Sequence, residues 1–414
     1  MATDTDTANR TMSTKRARTH QPTRWGRLAA CALLGIALSV VLALQAASSV
    51  LTVPQPAYAA RLFPLNGLAV EQDTVRSLTE NVTSEADVVP VARDLADLAR
   101  RAIAMEALSP RAHAVLALGE SDESRKVALL TAATRVNRRD LMMQGLVLDH
   151  QVSERDFPGA LATLDRLLRV HPEREEFFFP LLYRALRERA ALPAFVEILD
   201  GGSEWHRRFI VRAPVEANAL SNLALIRGRL KLKDEEFDRR LIMQLAEEGD
   251  MATAGRIYRN VTGVAEGGPA FGTIPWIGAF PPFDWKLADQ PTMRGQLEAD
   301  GKQLDVFVRS GRGGILAQRI VEPGAGPFAV VIDHALAPVD QVRDVRLQLR
   351  CGGNGQPFYD ERFSPGINRF EIPALPAACE GFANLAIYAR AWSGRSQITG
   401  TIGEIELVAG RSPD

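Results

Sequence analysis

Read only as apolar and polar positions, the chain changes texture three times. Residues 28–51, LAACALLGIALSVVLALQAASSVL, carry no ionisable side chain apart from the Cys31 thiol, and a run of that length predicts a helix able to cross a bilayer. From about 91 to 262 apolar residues recur at helical spacing in paired segments. Leu95, Leu98, Ala102 and Met105 share one face before Ser109-Pro110 breaks the pattern. The segments close at Leu108-Ser109-Pro110, Val136-Asn137-Arg138 and Val170-His171-Pro172, near the ~34-residue period of stacked helix pairs. After Gly263 the texture becomes VAEGGPAFGTIPWIGAFPPFDW, rich in Gly, Pro and aromatics, as at a domain seam.

Helical spacing does not return beyond it. Short alternating runs punctuated by turn residues follow from 283 to 408, which predicts an antiparallel sandwich. In DVRLQLRC, Val345, Leu347, Leu349 and Cys351 share one face, while Arg346, Gln348 and Arg350 share the wet one. Trp285 and Phe283 alternate onto one side of a strand, and both are expected in the sandwich core, with the prolines stopping helix propagation. The expected fold class is multidomain α and β. It comprises a basic tail (1–27), a transmembrane signal anchor (28–51), a stalk (52–90), a helical repeat domain (91–262), a seam (263–282), a sandwich (283–408) and a C-terminal tail (409–414).

Composition narrows the function classes. With 49 Lys and Arg against 50 Asp and Glu, the net charge of -1 gives no chain-wide field for nucleic acid, which is not an expected partner. The charge is uneven, however. Arg10, Lys15, Arg16, Arg18, Arg24 and Arg27 precede the apolar run, so the tail is expected to be disordered and to stay inside. The expected localisation is a single-pass inner-membrane protein with its bulk in the periplasm. Cleavage after Ala59 stays open, because Ala57-Tyr58-Ala59 has the form a signal peptidase needs; a lipoprotein reading of Leu28-Ala29-Ala30-Cys31 fails because the apolar run follows the cysteine. Cys351 and Cys379 are the two cysteines outside the span. They are a disulfide candidate in an oxidising compartment, with two unpaired thiols as the alternative.

Two resemblances add to this reading. Residues 141–173, LMMQGLVLDHQVSERDFPGALATLDRLLRVHPE, resemble a tetratricopeptide repeat: a helix, a short polar turn, a second helix opened by Phe157 and Ala160, and a closing Pro172. The resemblance implies an α-solenoid that gathers a protein partner. Residues 280–408 resemble a glycan-binding jelly roll in layout, through Leu316-Ala317-Gln318-Arg319 leading into VEPGAGPFAVVID and through the opening Phe283-Asp284-Trp285.

Catalytic motifs are missing from the sequence: it has no Gly-x-Ser-x-Gly elbow, Walker loop, Gly-x-Gly-x-x-Gly or His-Glu-x-x-His. The six histidines lie far apart in sequence, so neither a metal nor another cofactor is expected. In ANLAIYARAW, strand alternation places Leu385, Ile387 and Ala389 inward and Tyr388, Arg390 and Trp392 on the opposite face. Such an aromatic–cation–aromatic row suits a pyranose ring. Tyr359 and Asp360, read as loop residues after CGGNGQPF, are secondary candidates. The expected function is a non-catalytic envelope adaptor that binds a protein through its helices and a polysaccharide through its sandwich. The alternatives are a carbohydrate-active enzyme with its cleft in the sandwich, which an acidic pair facing a cleft would favour, and a purely structural assembly factor.

Overall fold

The computed structural model describes residues 24–264, 271–298, 301–324, 326–352 and 355–410. Most of the predicted basic tail, and residues 411–414 of the C-terminal one, lie outside them. The chain divides into two compact units, Met1–Asp149 and His150–Asp414.

The first unit is helical: α1 (Arg24–Leu51), α2 (Pro56–Leu62), α3 (Gly67–Asn81), α4 (Val88–Asp94), α5 (Ala96–Met105), α6 (Pro110–Gly119), α7 (Glu123–Val136) and the greater part of α8 (Leu141–Ser153). Among the described residues, α1 is the one helix long and apolar enough to cross a membrane, with a mean hydropathy of 2.4. The segment expected as a stalk is itself helical and packed. Val70 and Leu78 of α3 share a core with Ala92, Ala99, Ala102, Ala112 and Val115, where the small alanines let helix backbones approach closely. The buried Glu71 accepts hydrogen bonds from the backbone N–H groups of Arg111 at 2.8 Å and Ala112 at 3.4 Å, capping the start of α6. Burial nevertheless holds the Glu71 carboxyl above the usual range.

The second unit continues with α9 (Phe157–Val170), α10 (Glu175–Leu186), α11 (Leu192–Ile198), α12 (Glu204–Arg212), α13 (Leu220–Arg227), α14 (Glu235–Glu247) and α15 (Met251–Thr262). Aspartates set three of the starts: Asp156, Asp234 and Asp250 accept from the N–H groups of Gly159, Phe237 and Thr253 at 3.0, 2.9 and 3.1 Å. Gly263, at φ 75°, ends the last helix in a left-handed turn. Twelve strands follow among the described residues: β1 (Gly272–Ile274), β2 (Lys286–Leu287), β3 (Asp289–Gln290), β4 (Met293–Leu297), β5 (Leu304–Val308), β6 (Gly313–Val321), β7 (Phe328–Ala337), β8 (Val345–Arg350), β9 (Tyr359–Arg362), β10 (Asn368–Ile372), β11 (Ala383–Arg390) and β12 (Ile398–Ala409).

These form two antiparallel sheets that share one core. One has the order β10-β7-β12-β5-β4-β3, with β1 added along β12; the other has the order β2-β6-β11-β8-β9. Leu304, Val306 and Val308 of β5 and Ile402, Ile405 and Leu407 of β12 meet Leu347 and Leu349 of β8 and Leu385, Ile387 and Ala389 of β11. Cys351 and Cys379 are joined as a disulfide, with Cα atoms 4.6 Å apart.

The aromatics of the seam divide between two neighbours. Trp276 and Trp285 are buried in the sandwich core with ring centroids 4.4 Å apart, and the indole of Trp276 donates to the Gly403 carbonyl at 2.8 Å. Phe283, expected beside Trp285, turns the other way. Its ring stacks on Tyr258 of α15 at 5.2 Å, and Phe280 meets the same tyrosine edge-on at 6.5 Å. Alternation fails here because residues 280–285 precede the first strand of this sheet, so no pleat dictates which way each ring points.

Candidate binding site on the five-stranded sheet

The face of this sheet away from the core is built by cross-strand register. Lys286 of β2 pairs with Gln318 of β6, Gln318 with Ala386 of β11, Ala386 with Gln348 of β8, and Gln348 with Asp360 of β9. Directly paired residues point to the same side of an antiparallel sheet. The result is one row across all five strands, polar except at Ala386. The adjacent row is Ile320, Asn384 and Arg350, and on the other side Tyr388 pairs with Arg346. On this face Ala386 and Gln348 are themselves buried, while Asn384 and Tyr388 are half-buried.

Part of this polarity is internally satisfied. Arg350 Nη2 donates to Gln348 Oε1 at 2.6 Å, Asn384 Nδ2 reaches Gln318 Oε1 at 3.5 Å, and Arg346 is ion-paired with Asp360 at 2.7 Å. Asn384 Oδ1 and Arg350 Nε are buried with no hydrogen-bond partner among the described residues. Buried polar atoms are seldom left unpaired.

One end of the face opens into a cleft of about 790 Å³ between the sheet and the α14–α15 turn. Lys286, Gln318 and Asn384 supply its polar wall, Met243, Met251 and Phe382 its apolar side, and Glu247 and Glu380 also line it. Cys351 and Cys379, joined as a disulfide, line it as well. A left-handed Gly249 at φ 90° reverses the chain between the two helices and places Met251 at the wall.

A buried polar knot fixes the helices that border the cleft. The Tyr258 hydroxyl donates to Asp284 Oδ1 at 2.8 Å, and the Phe280 N–H donates to Asp284 Oδ2 at 2.8 Å. Arg319 projects from the core side of β6, and its guanidinium lies 5.6 Å from the Trp285 ring centre. Burial and then the Asp284 charge push the Tyr258 hydroxyl up to about 12. Burial lowers the Arg319 pKa against the opposing pull of Tyr258 and Asp284. Arg259 and Glu322 add a more exposed pair at 2.7 Å.

The residues nominated from sequence are placed as follows. Tyr388 and Arg390 stand on the outer face of β11, half-buried and exposed respectively. Trp392 follows the strand end and is 46% exposed, with the Arg390 guanidinium 4.0 Å from its ring centre. Arginine therefore occupies one face of that indole. Tyr359 and Asp360 lie in strand β9, not in a loop. Tyr359 pairs with Leu349 and packs on the core side, where burial raises its pKa, whereas Asp360 faces outward onto Arg346. Sequence reasoning missed Lys286, Gln318 and Asn384. The alternation of β8 was a signal that Gln348 and Arg350 face away from the core, although Gln348 is buried and not wet as expected; no local pattern tells which residues of β11, and beyond it β6, share their rows.

Among the described residues, no group of three or more His, Cys, Asp and Glu side chains could hold a metal. Buried His206 is held by Asp165 at 3.1 Å and Asp200 at 3.4 Å, and the Trp205 indole also donates to Asp165 at 3.0 Å, tying α12 to α9. Against the effect of burial, hydrogen bonds from His206, Arg169 and Trp205 keep the Asp165 carboxyl below the usual range. No family model matches the chain, and no curated protein matches it either.

Proposed function

We propose that this protein is a non-catalytic, membrane-anchored adaptor of the cell envelope that holds a carbohydrate chain along the outer face of its five-stranded sheet and in the adjoining cleft. The observation that carries the reading is the polar cleft wall of Lys286, Gln318 and Asn384, the accessible end of a cross-strand row in which Ala386 and Gln348 are buried. Amide side chains both donate and accept, as hydroxyl groups require. A wall of Met243, Met251 and Phe382 suits the C–H face of a sugar ring. Along β11, the distance from Asn384 to Arg390 is about 20 Å at the usual rise per residue, so Tyr388, Arg390 and Trp392 extend the same track. The proposed topology leaves the N-terminus in the cytoplasm and the rest in the periplasm. The tetratricopeptide-like helices take a protein partner, and exposed Phe177 on α10 is the apolar group offered to it.

A second reading is favoured by one observation: Glu247 and Glu380 line the same cleft, as the two carboxylates of a glycoside hydrolase would. Both are exposed, whereas a general acid needs an enclosed setting to keep its proton. The adaptor reading therefore takes precedence. An array of neutral and uronate-containing oligosaccharides tests it. Retention is expected for the intact chain and is expected to be lost in Gln318→Ala/Asn384→Ala at unchanged melting temperature. Turnover of a retained oligosaccharide that disappears in Glu247→Gln or Glu380→Gln would instead establish the enzyme.

A further inference from the structure

We propose that the turn between α2 and α3, Leu62–Leu65, is seated in the outer headgroup region of the bilayer, so that the first helical hairpin is a second membrane contact beside the span. The inference rests on α1 being in the membrane. About 20 residues cross the ~30 Å hydrocarbon layer. Counted from Leu28, directly after Arg27, α1 leaves that layer near Ala47. Its composition changes there, with Gln45, Ser48 and Ser49 following the apolar run.

The helix does not continue into a free linker. Ser48 Oγ donates to the Ala59 carbonyl at 2.8 Å, and Asn66 Nδ2 donates to Ser48 Oγ at 2.9 Å and Thr52 Oγ1 at 3.0 Å. A contact between residues 48 and 59 across the short Thr52–Gln55 connection means that α2 folds back along α1, towards the membrane. Ala59 is level with Ser48. Leu62, three residues further, therefore lies about 4.5 Å deeper, level with Gln45. The chain turns there through Phe63-Pro64-Leu65 and returns to Asn66.

At this end of the hairpin Leu62 and Phe63 are half-buried, while Leu65, next to Asn66, is 65% exposed and Tyr58 on α2 is 55% exposed. Arg61 is exposed between them. An exposed leucine, a tyrosine and a cation that can reach phosphate are the groups that settle at a membrane interface. A protein partner would need to reach this turn at the depth of the lipid headgroups.

Depth-resolved fluorescence on the full chain tests the assignment. The chain, carrying Cys31→Ala, is reconstituted in phosphatidylethanolamine–phosphatidylglycerol vesicles with a bimane on Leu65→Cys, Val53→Cys or Leu38→Cys. Leu65 is expected to be quenched several-fold more by a lipid nitroxide near the glycerol than by aqueous iodide. Val53, at the opposite end of the hairpin, should show the reverse. Leu38 should respond to a nitroxide deep in the acyl chains. Iodide quenching at Leu65 equal to that at Val53 would overturn the proposal, and so would protection of Leu65 from both quenchers, which would mean that protein covers it. A Leu38 label that no lipid nitroxide reaches would overturn the span itself and the hairpin contact with it. Unchanged circular dichroism and melting of each labelled chain keep a folding defect from being read as either result.

Discussion

Residues 52–66, the first part of the expected stalk, and 271–285, which run from the expected seam into the start of the sandwich, are both punctuated by proline, yet the structure fixes them by different means. The first is held by polar bonds among Ser48, Thr52, Asn66 and a backbone carbonyl, and it keeps Val53 and Leu65 exposed. The second is held by buried aromatic area and one enclosed ionic knot. Proline and glycine mark where a helix must stop; whether the following chain is free depends on what its side chains find to bury or bond. A connector secured by hydrogen bonds is sensitive to single polar substitutions. One secured by area withstands these and fails when a large ring is removed.

The largest expected effect tests the aromatic connector. Trp285→Ala removes a buried indole from the pair with Trp276, and truncations of this kind cost about 3–5 kcal/mol. Chemical denaturation of the second unit should shift by that amount, while Trp392→Ala, on an exposed ring, should leave it nearly unchanged. Equal effects of the two would show that the seam tryptophans do not hold the sandwich together.

Next is the knot. Tyr258→Phe removes the hydroxyl donated to the Asp284 carboxylate, worth about 1.5–3 kcal/mol for a bond to a charged group. The sign of its pH dependence follows from the raised phenol. Below pH 10 the hydroxyl is protonated both folded and unfolded, and its contribution is complete. Between pH 10 and about 12 the unfolded chain loses the proton first, so stability falls across that window. Alkaline unfolding curves should show that fall in the parent and a smaller one in Tyr258→Phe. Identical alkaline limbs would remove Tyr258 from the knot.

The smallest effect concerns the polar connector. Asn66 accepts from the Ala69 N–H at 3.0 Å as the N-cap of α3 while donating to α1. Asn66→Ala should cost about 1 kcal/mol as a lost cap. Hydrogen exchange should speed up at the start of α3, and unchanged exchange there would show that the bonds to α1 do not order the connector.

How much of this was legible depended on whether a pattern is local. The alternation in β8 and β11 was: Leu347, Leu349, Leu385, Ile387 and Ala389 enter the shared core, as their spacing indicates, although Gln348 and Ala386 on the opposite face are buried as well. Strand β9 was obscured because four residues following Gly-Gln-Pro carry too short an alternation to compete with turn signals, and Tyr359 consequently looked like a loop residue. The helices within 52–90 were hidden for another reason. Their buried face is largely Ala59, Ala69, Val70, Thr74 and Leu78, too small and mixed to read as an apolar stripe. The cross-strand row on the outer face needed register, which no single strand encodes. A bulge at Ile387/Tyr388 even shifts the pairing with β6 partway along the strand.

The disulfide beside the cleft depends on where the chain ends up. Cys351 and Cys379 come from segments otherwise joined through 28 positions of chain, and both line the candidate pocket. A copy kept in a reducing cytosol would lack that bond, and the two segments would be held together there only by the β8–β11 pairing that starts at Arg350 and Asn384. In the proposed topology, then, translocation both delivers the protein and allows the covalent link beside the candidate pocket to form.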